Sequence, residues 1–411
     1  MTGEAVQLFY FFFGMPAKLL GENMGAHSTG PENGLPKEER ILVLQGGGAL
    51  GAYQAGTYEE LAAMGQMPHW VAGISIGAIN AALIVGNPPE LRVQRLHEFW
   101  QTVSAASPIW LPWIGRDVEQ RSILNQAQAA MVLLFGLPGF FVPRWPPAPF
   151  QAAGSLGALS IYDTAPLRAT LEQLVDFELL NSTATRLSVG AVNVRTGNFA
   201  YFDTALQRLD VRHIMASSAL PPGFPPIEID GEWYWDGGLI SNTPLQYVLS
   251  QPGADCRLVF QVDVFPCEGP MPASLSGVVE REKDIRFSSR TRLNTSYALA
   301  GPVLAQAVRR LIAKLPPSFV GDPDVQALEA ASHELAVTVV HLIHRGKRYE
   351  TQSKDYEFSR LSMLEHWRAG RADMRHTLTH PNWLARTAPQ EGVHVFDLTR
   401  KPKTEQSAKP A

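Results

Sequence analysis

Ile41-Leu42-Val43-Leu44 is an unbroken apolar run between Arg40 and Gln45. A strand with one wet face alternates apolar and polar residues. An unbroken run marks a strand buried on both faces. It runs into Gly46-Gly47-Gly48, and a helix rich in small residues is predicted from about Gly51 to Met64. A second strand spans about Trp70 to Ile74, and a second helix, rich in Ala and Ile, starts at Gly77. This strand-helix-strand-helix order predicts a parallel sheet with helices on its faces.

The rhythm breaks over residues 105 to 160, where Phe135 to Pro147 is aromatic, proline-rich and aperiodic. It returns with a helix near Ala165 to Val175, a strand near Leu187 to Val194, a short strand at Phe199 to Phe202 and a helix near Val211 to Ser218. Glu228 to Trp235 reads as a hairpin turning at Asp230-Gly231, because Asp-Gly suits the positive φ angles of a tight turn. Leu258 to Phe265 is a further core strand. After Glu268 the pattern is mostly helical. Leu304, Val308, Leu311 and Ile312 recur at helical spacing, as do Phe358, Leu361, Leu364 and Trp367. Val337 to Ile343 fits another strand of the main sheet.

These elements give an α/β fold with a mainly parallel central sheet flanked by helices, and a mostly helical C-terminal extension. The predicted organisation is a disordered leader and linker over 1–40, a catalytic domain over 41–267 with a cap inserted at 105–160, the extension over 268–400, and a disordered tail over 401–411.

Composition narrows the function. Charged residues are 18% of the chain and the net charge is -4, so no basic field points to a nucleic-acid partner. Two cysteines, Cys256 and Cys267, cannot build a disulfide framework, which argues for a reducing compartment and a cytoplasmic protein. The apolar run Leu8 to Met15 follows Glu4 rather than a basic start, so it is a poor secretory signal. It is also far shorter than the roughly 20 residues of a membrane span. It reads as an unstructured leader, with a weak membrane or partner contact as the other reading.

Three short motifs carry chemistry. Gly73-Ile74-Ser75-Ile76-Gly77 is Gly-x-Ser-x-Gly between a predicted strand and a predicted helix, the place of a nucleophile elbow. Gly73 and Gly77 would let strand and helix approach closely. Ser75 would project at a helix N-terminus, whose dipole favours developing negative charge. On the pentapeptide alone, a packing turn with a capping serine is as good a reading.

Gly46-Gly47-Gly48-Ala49-Leu50-Gly51 lies between the first strand and first helix. Its amides, with that of Ile76, could hold an oxyanion, or the loop could be a simple tight turn. It also matches the dinucleotide fingerprint, but that motif expects an acidic residue about 20 positions later, and residues 61 to 85 contain none. Asp236, in Trp235-Asp236-Gly237-Gly238, could be a base held against Ser75 in place of a histidine. Taken alone it is an ordinary Asp-Gly turn. His341 and His344, three apart and without a third ligand, read as structural, so no metal is called.

Taken in order, the glycine loop, Gly-x-Ser-x-Gly and Asp-Gly-Gly resemble the patatin-like phospholipase family. Ala216 to Pro226 resembles that family's segment ahead of its aspartate, and the likeness covers roughly 41 to 265. The resemblance implies the three-layer patatin-like fold and a Ser-Asp dyad without histidine. It makes Ser75 the nucleophile, Asp236 the base, and Gly46, Gly47 and Gly48 the oxyanion loop. Leu50 stands where many relatives carry a basic residue, so the loop offers no charge to a phosphate headgroup. The C-terminal region resembles the extension of a bacterial subset of the family.

The implied function is hydrolysis of lipid acyl esters, as a phospholipase A, a lysophospholipase or a related carboxylic ester hydrolase, with no metal or other cofactor. The implied partners are a lipid or acyl-ester substrate and, through the aromatic cap, a peripheral membrane contact. The alternatives are an acyltransferase or hydrolase of a non-membrane acyl ester such as a polyester oligomer, and a non-catalytic lipid-binding module.

Overall fold

A computed structural model describes residues 38–104, 117–319, 321–332, 336–347, 349–387, 389 and 392–399, without the side chains of 289–303, 330 and 331. The expected leader up to residue 37 and the tail from residue 401 lie outside the described residues.

The strands are β1 (Glu39–Leu44), β2 (Trp70–Gly73), β3 (Val142–Pro143), β4 (Tyr162–Asp163), β5 (Arg186–Asn193), β6 (Phe199–Asp203), β7 (Ile227–Ile229), β8 (Glu232–Asp236), β9 (Cys256–Asp263), β10 (Ala336–Ile343) and β11 (Gly392–Phe396). Nine of them form one sheet in the order β11-β10-β9-β1-β2-β5-β8-β7, with β6 also on β5, while β3 and β4 make a separate small ribbon. From β11 to β5 every pairing is parallel. The pairings to β6, β7 and β8 are antiparallel.

Strand period two divides β1 between two cores. Leu42 and Leu44 join the larger apolar cluster, with the helices Gly51–Ala63 (α1) and Ile76–Val85 (α2). Ile41 and Val43 join a smaller one on the other face, with Leu245 and Val248 of a short helix. The result is the expected three-layer α/β architecture.

The predicted hairpin is present, with Asp230 at φ 52 and Gly231 at φ 81. The insertion is more regular than its aperiodic sequence suggests, since Val118–Phe135 is an 18-residue helix capped by Asp117. Its apolar residues Ile123, Met131, Leu134 and Phe135 are exposed, and its buried stripe, Arg121, Asn125, Ala129 and Val132, is half polar, so no apolar periodicity marked it.

The C-terminal region is helical but also supplies β10 and β11 to the main sheet. Its helix Arg360–Thr379 packs on α1 through glycine. A Cβ on Gly56 would lie 2.0 Å from the Trp367 carbonyl oxygen, and one on Gly370 would lie 2.0 Å from that of Tyr53. The buried face carries Met363, Trp367, Gly370 and Met374, whereas the periodic Leu361 and Leu364 are exposed.

Candidate active site

Sheet register brings two distant motifs together. β2 pairs with β5 up to Gly73 opposite Val189. There the chain turns out of the sheet into the Gly73–Gly77 elbow. β8 takes over the vacated edge of β5, with Asp236 opposite Ala191. Asp236 therefore sits two residues beyond the end of β2, level with Ser75.

The elbow is strained. Ser75 has φ 56 and ψ -124, a left-handed conformation that costs a non-glycine residue of order 1–3 kcal/mol. Glycine on both sides is a steric requirement. A Cβ on Gly73 would lie 2.3 Å from the Gly77 carbonyl oxygen, and one on Gly77 would lie 2.4 Å from that of Leu44. The strain is held by neighbours. Ser217 Oγ accepts the Ser75 N–H at 3.1 Å and donates to the Gly190 carbonyl at 2.7 Å. Ser218 Oγ donates to the Ser75 carbonyl at 3.2 Å.

Ser75 is half-buried, whereas Asp236 is 1% exposed. The Ser75 side chain interacts with the Asp236 carboxyl and favours its charged form. The Gly238 amide donates to Asp236 Oδ1 at 2.7 Å. Burial pushes the Asp236 carboxyl up to about 7, and the bonds from Ser75 and Gly238 only partly oppose it. A carboxylate so placed can accept a hydroxyl proton near neutral pH.

The glycine loop lies against the same pair, since a Cβ on Gly46 would fall 3.1 Å from Ser75 Cβ. Its four expected donors differ. The Gly46 N–H is committed to the Asn242 carbonyl at 3.0 Å, so Gly46 anchors the loop and has no amide left for an oxyanion. The amides of Gly47, Gly48 and Ile76 have no acceptor among the described residues. Gly48 has φ 54, and a Cβ there would lie 2.0 Å from the Asp355 carbonyl oxygen. That carbonyl accepts the Ala49 N–H at 2.8 Å.

Asn242 is buried, and its Nδ2 donates to the Gly46 carbonyl at 2.8 Å, so it ties the glycine loop to the Asp-Gly-Gly turn. Sequence reasoning assigned no role to Asn242, Ser217 or Asp355. The available signal was the Ser217-Ser218 pair in the family-like segment and an asparagine six residues after Asp236. His341 and His344 do not converge on one centre. His341 Nε2 meets Asp263 at 2.7 Å, and His344 Nε2 meets Glu350 at 3.2 Å.

A strained serine at a strand-to-helix turn, a buried carboxylate near it and amides without an acceptor among the described residues are the layout that a nucleophile elbow on an α/β sheet requires. The family model described as patatin-like phospholipase matches residues 42–249, just over half of the chain, and a patatin phospholipase model matches residues 285–390. The chain belongs to the patatin-like phospholipase family.

A cGAMP-activated phospholipase of Vibrio cholerae is 25% identical over 224 residues, 51% of this chain and 56% of that protein. One of Escherichia coli is 30% identical over 115 residues, 25% of this chain and 32% of that protein. The chain thus spans about half or less of the length of these curated relatives. VipD from Legionella pneumophila overlaps at a TM-score of 0.29 and 12% identity, over 82% of this chain and 67% of that one.

Proposed function

We propose that the chain is a serine-dependent lipid acyl hydrolase, with Ser75 as nucleophile and Asp236 as its base. The carrying observation is the strained Ser75 beside a buried Asp236, whose carboxyl is raised to about 7 and interacts with the Ser75 side chain. Asp236 takes the Ser75 proton as Oγ attacks the ester carbonyl, and that proton then goes to the leaving alcohol or lysolipid. Water, deprotonated by Asp236, clears the acyl-enzyme. The amides of Gly47, Gly48 and Ile76 would stabilise each oxyanion, where one donor can be worth roughly 3–4 kcal/mol. All of this uses the chain's own groups.

The cap supplies the contact with lipid. Between Ser122 and Tyr162 the only charged side chain is Arg144, and it is held by Ser160 and Asp163. On this stretch Trp145 is 89% and Phe150 79% exposed. The amides of Ile161 and Tyr162 donate to the carbonyls of Pro222 and Gly223. Ala219, three residues before Pro222, accepts the Asp236 N–H. The apolar surface thus begins a few residues from the reaction centre, and it suits an uncharged lipid face better than an anionic one.

The test is turnover of a panel of phospholipids and p-nitrophenyl esters by the full chain and by Ser75→Ala. Turnover on some of the panel, lost in a folded variant, supports the proposal. Equal turnover in the variant refutes it.

A further inference from the structure

Behind the glycine loop lies a second concentration of chemistry that the hydrolase mechanism does not use. His344 follows β10, Glu350 lies in the next loop, and His366 is in the helix Arg360–Thr379. All three are buried, and one donor atom from each lies within 4.8 Å of the others. We propose that His344, Glu350 and His366 form a structural site for a divalent transition metal ion of the zinc class.

Distances point to it first. Glu350 Oε2 is 3.2 Å from His344 Nε2, and Glu350 Oε1 is 3.4 Å from His366 Nε2. A direct imidazole–carboxylate contact in the same molecule, His341 with Asp263, closes to 2.7 Å, as charge-assisted bonds do. The cluster is held wider than that. Each imidazole meets a different oxygen of Glu350, and one donor atom from each of the three residues lies within 4.8 Å of the others, so small side-chain adjustments would bring them onto one ion with arms of about 2.0–2.1 Å.

Charge and hydrogen-bond satisfaction point the same way. A buried carboxylate needs a cation, yet the ion-pair partners of Glu350 among the described residues are only the two imidazoles. The neighbouring Lys354 is committed to Asp284 at 2.7 Å. His366 Nδ1 is buried without a hydrogen-bond partner. A cavity of about 10 Å³ borders Glu350 and His366 and is also lined by Lys354, Asn125, Glu357 and Ser362. That is room for about one water, which can complete the coordination or accept the Nδ1 proton. Two imidazoles and one carboxylate suit zinc or its neighbours, whereas calcium and magnesium prefer oxygen alone.

The ion would join the end of β10, the following loop and the helix Arg360–Thr379. That loop holds Asp355, whose carbonyl receives the Ala49 N–H and abuts Gly48. The site therefore braces the glycine loop from behind, and the expectation of a metal-free protein drawn from His341 and His344 is revised.

The experiment uses the full chain without a polyhistidine tag, purified without chelator, with its metals measured by plasma mass spectrometry. The proposal expects zinc at one ion per chain. After chelator stripping, Co²⁺ should produce the visible bands of a tetrahedral site lacking thiolate, and Zn²⁺ should raise the Tm. Glu350→Gln and His366→Ala should weaken Zn²⁺ binding at least tenfold, with Ser75→Ala unchanged. The wild-type content and Co²⁺ spectrum decide the matter if those variants fail to fold. A wild-type chain that carries no metal and binds neither Zn²⁺ nor Co²⁺ overturns the proposal, as do folded variants with wild-type zinc content. The triad would then be an imidazolium–carboxylate cluster.

Discussion

Asp236 shows what the site costs the fold. Its folded carboxyl titrates at about 7 against an ordinary 3.8. The folded state therefore holds a proton that the unfolded chain has lost between about pH 4 and 7. Stability falls as pH rises through that window, and the penalty is complete above it. A tenfold change in proton affinity between the two states is worth about 1.36 kcal/mol, so the penalty is at most about 4 kcal/mol. Asp236→Asn removes it. The variant should lose turnover and yet unfold at a higher temperature than wild type at pH 8. That advantage should shrink to nothing near pH 4. Thermal unfolding across pH reads it directly, and an advantage independent of pH contradicts the buried-carboxylate account.

Ser75 was legible because a nucleophile elbow needs glycine at fixed offsets, and that need is local. Asp236 was legible only in company, since its own surroundings spell a turn. Asn242 and Ser217 were not assigned roles. Their roles come from partners at positions 46, 75 and 190, and a buried polar side chain leaves no periodic trace.

At the scale of elements, the contact between α1 and the helix Arg360–Thr379 makes a prediction of unusual sign. Gly→Ala in a helix interior ordinarily stabilises by about 1 kcal/mol. At Gly370 the added methyl meets the Tyr53 backbone at 2.0 Å, and overpacking of this kind costs about 1–3 kcal/mol. Gly370→Ala should therefore lower the midpoint of denaturant unfolding. A raised midpoint would show that the helices are not in close contact.

The helical spacing of Phe358, Leu361, Leu364 and Trp367 did mark a helix, Arg360–Thr379, but Leu361 and Leu364 are exposed while its buried face carries Met363, Trp367, Gly370 and Met374. Strand β1 was legible because burial on both faces demands an unbroken apolar run, Ile41 to Leu44. β11 is a five-residue edge strand with partly exposed side chains, and it carried no such signal.

The whole molecule joins the proposed reaction centre at the end of β2 to an apolar cap and to a buried His-Glu-His cluster. The cap predicts a change in substrate preference. Trp145→Ser with Phe150→Ser should lower turnover on zwitterionic vesicles relative to turnover of a soluble ester by tenfold or more. Burying two aromatic side chains is worth several kcal/mol in sum, on the order of 1.5–3 each. An unchanged ratio contradicts a docking role for the cap. Added salt should scarcely affect vesicle turnover, because the surface is nearly free of charge.

The most direct measurement is covalent labelling by a fluorophosphonate, read by intact mass and peptide mapping, for wild type, Ser75→Ala and Asp236→Asn. The expected result is a single adduct on Ser75, none in Ser75→Ala, and much slower labelling in Asp236→Asn. In wild type the rate should rise with pH through about 7, as the Asp236 carboxyl ionises. An adduct on another residue, or labelling of Asp236→Asn at the wild-type rate, contradicts a Ser75–Asp236 dyad.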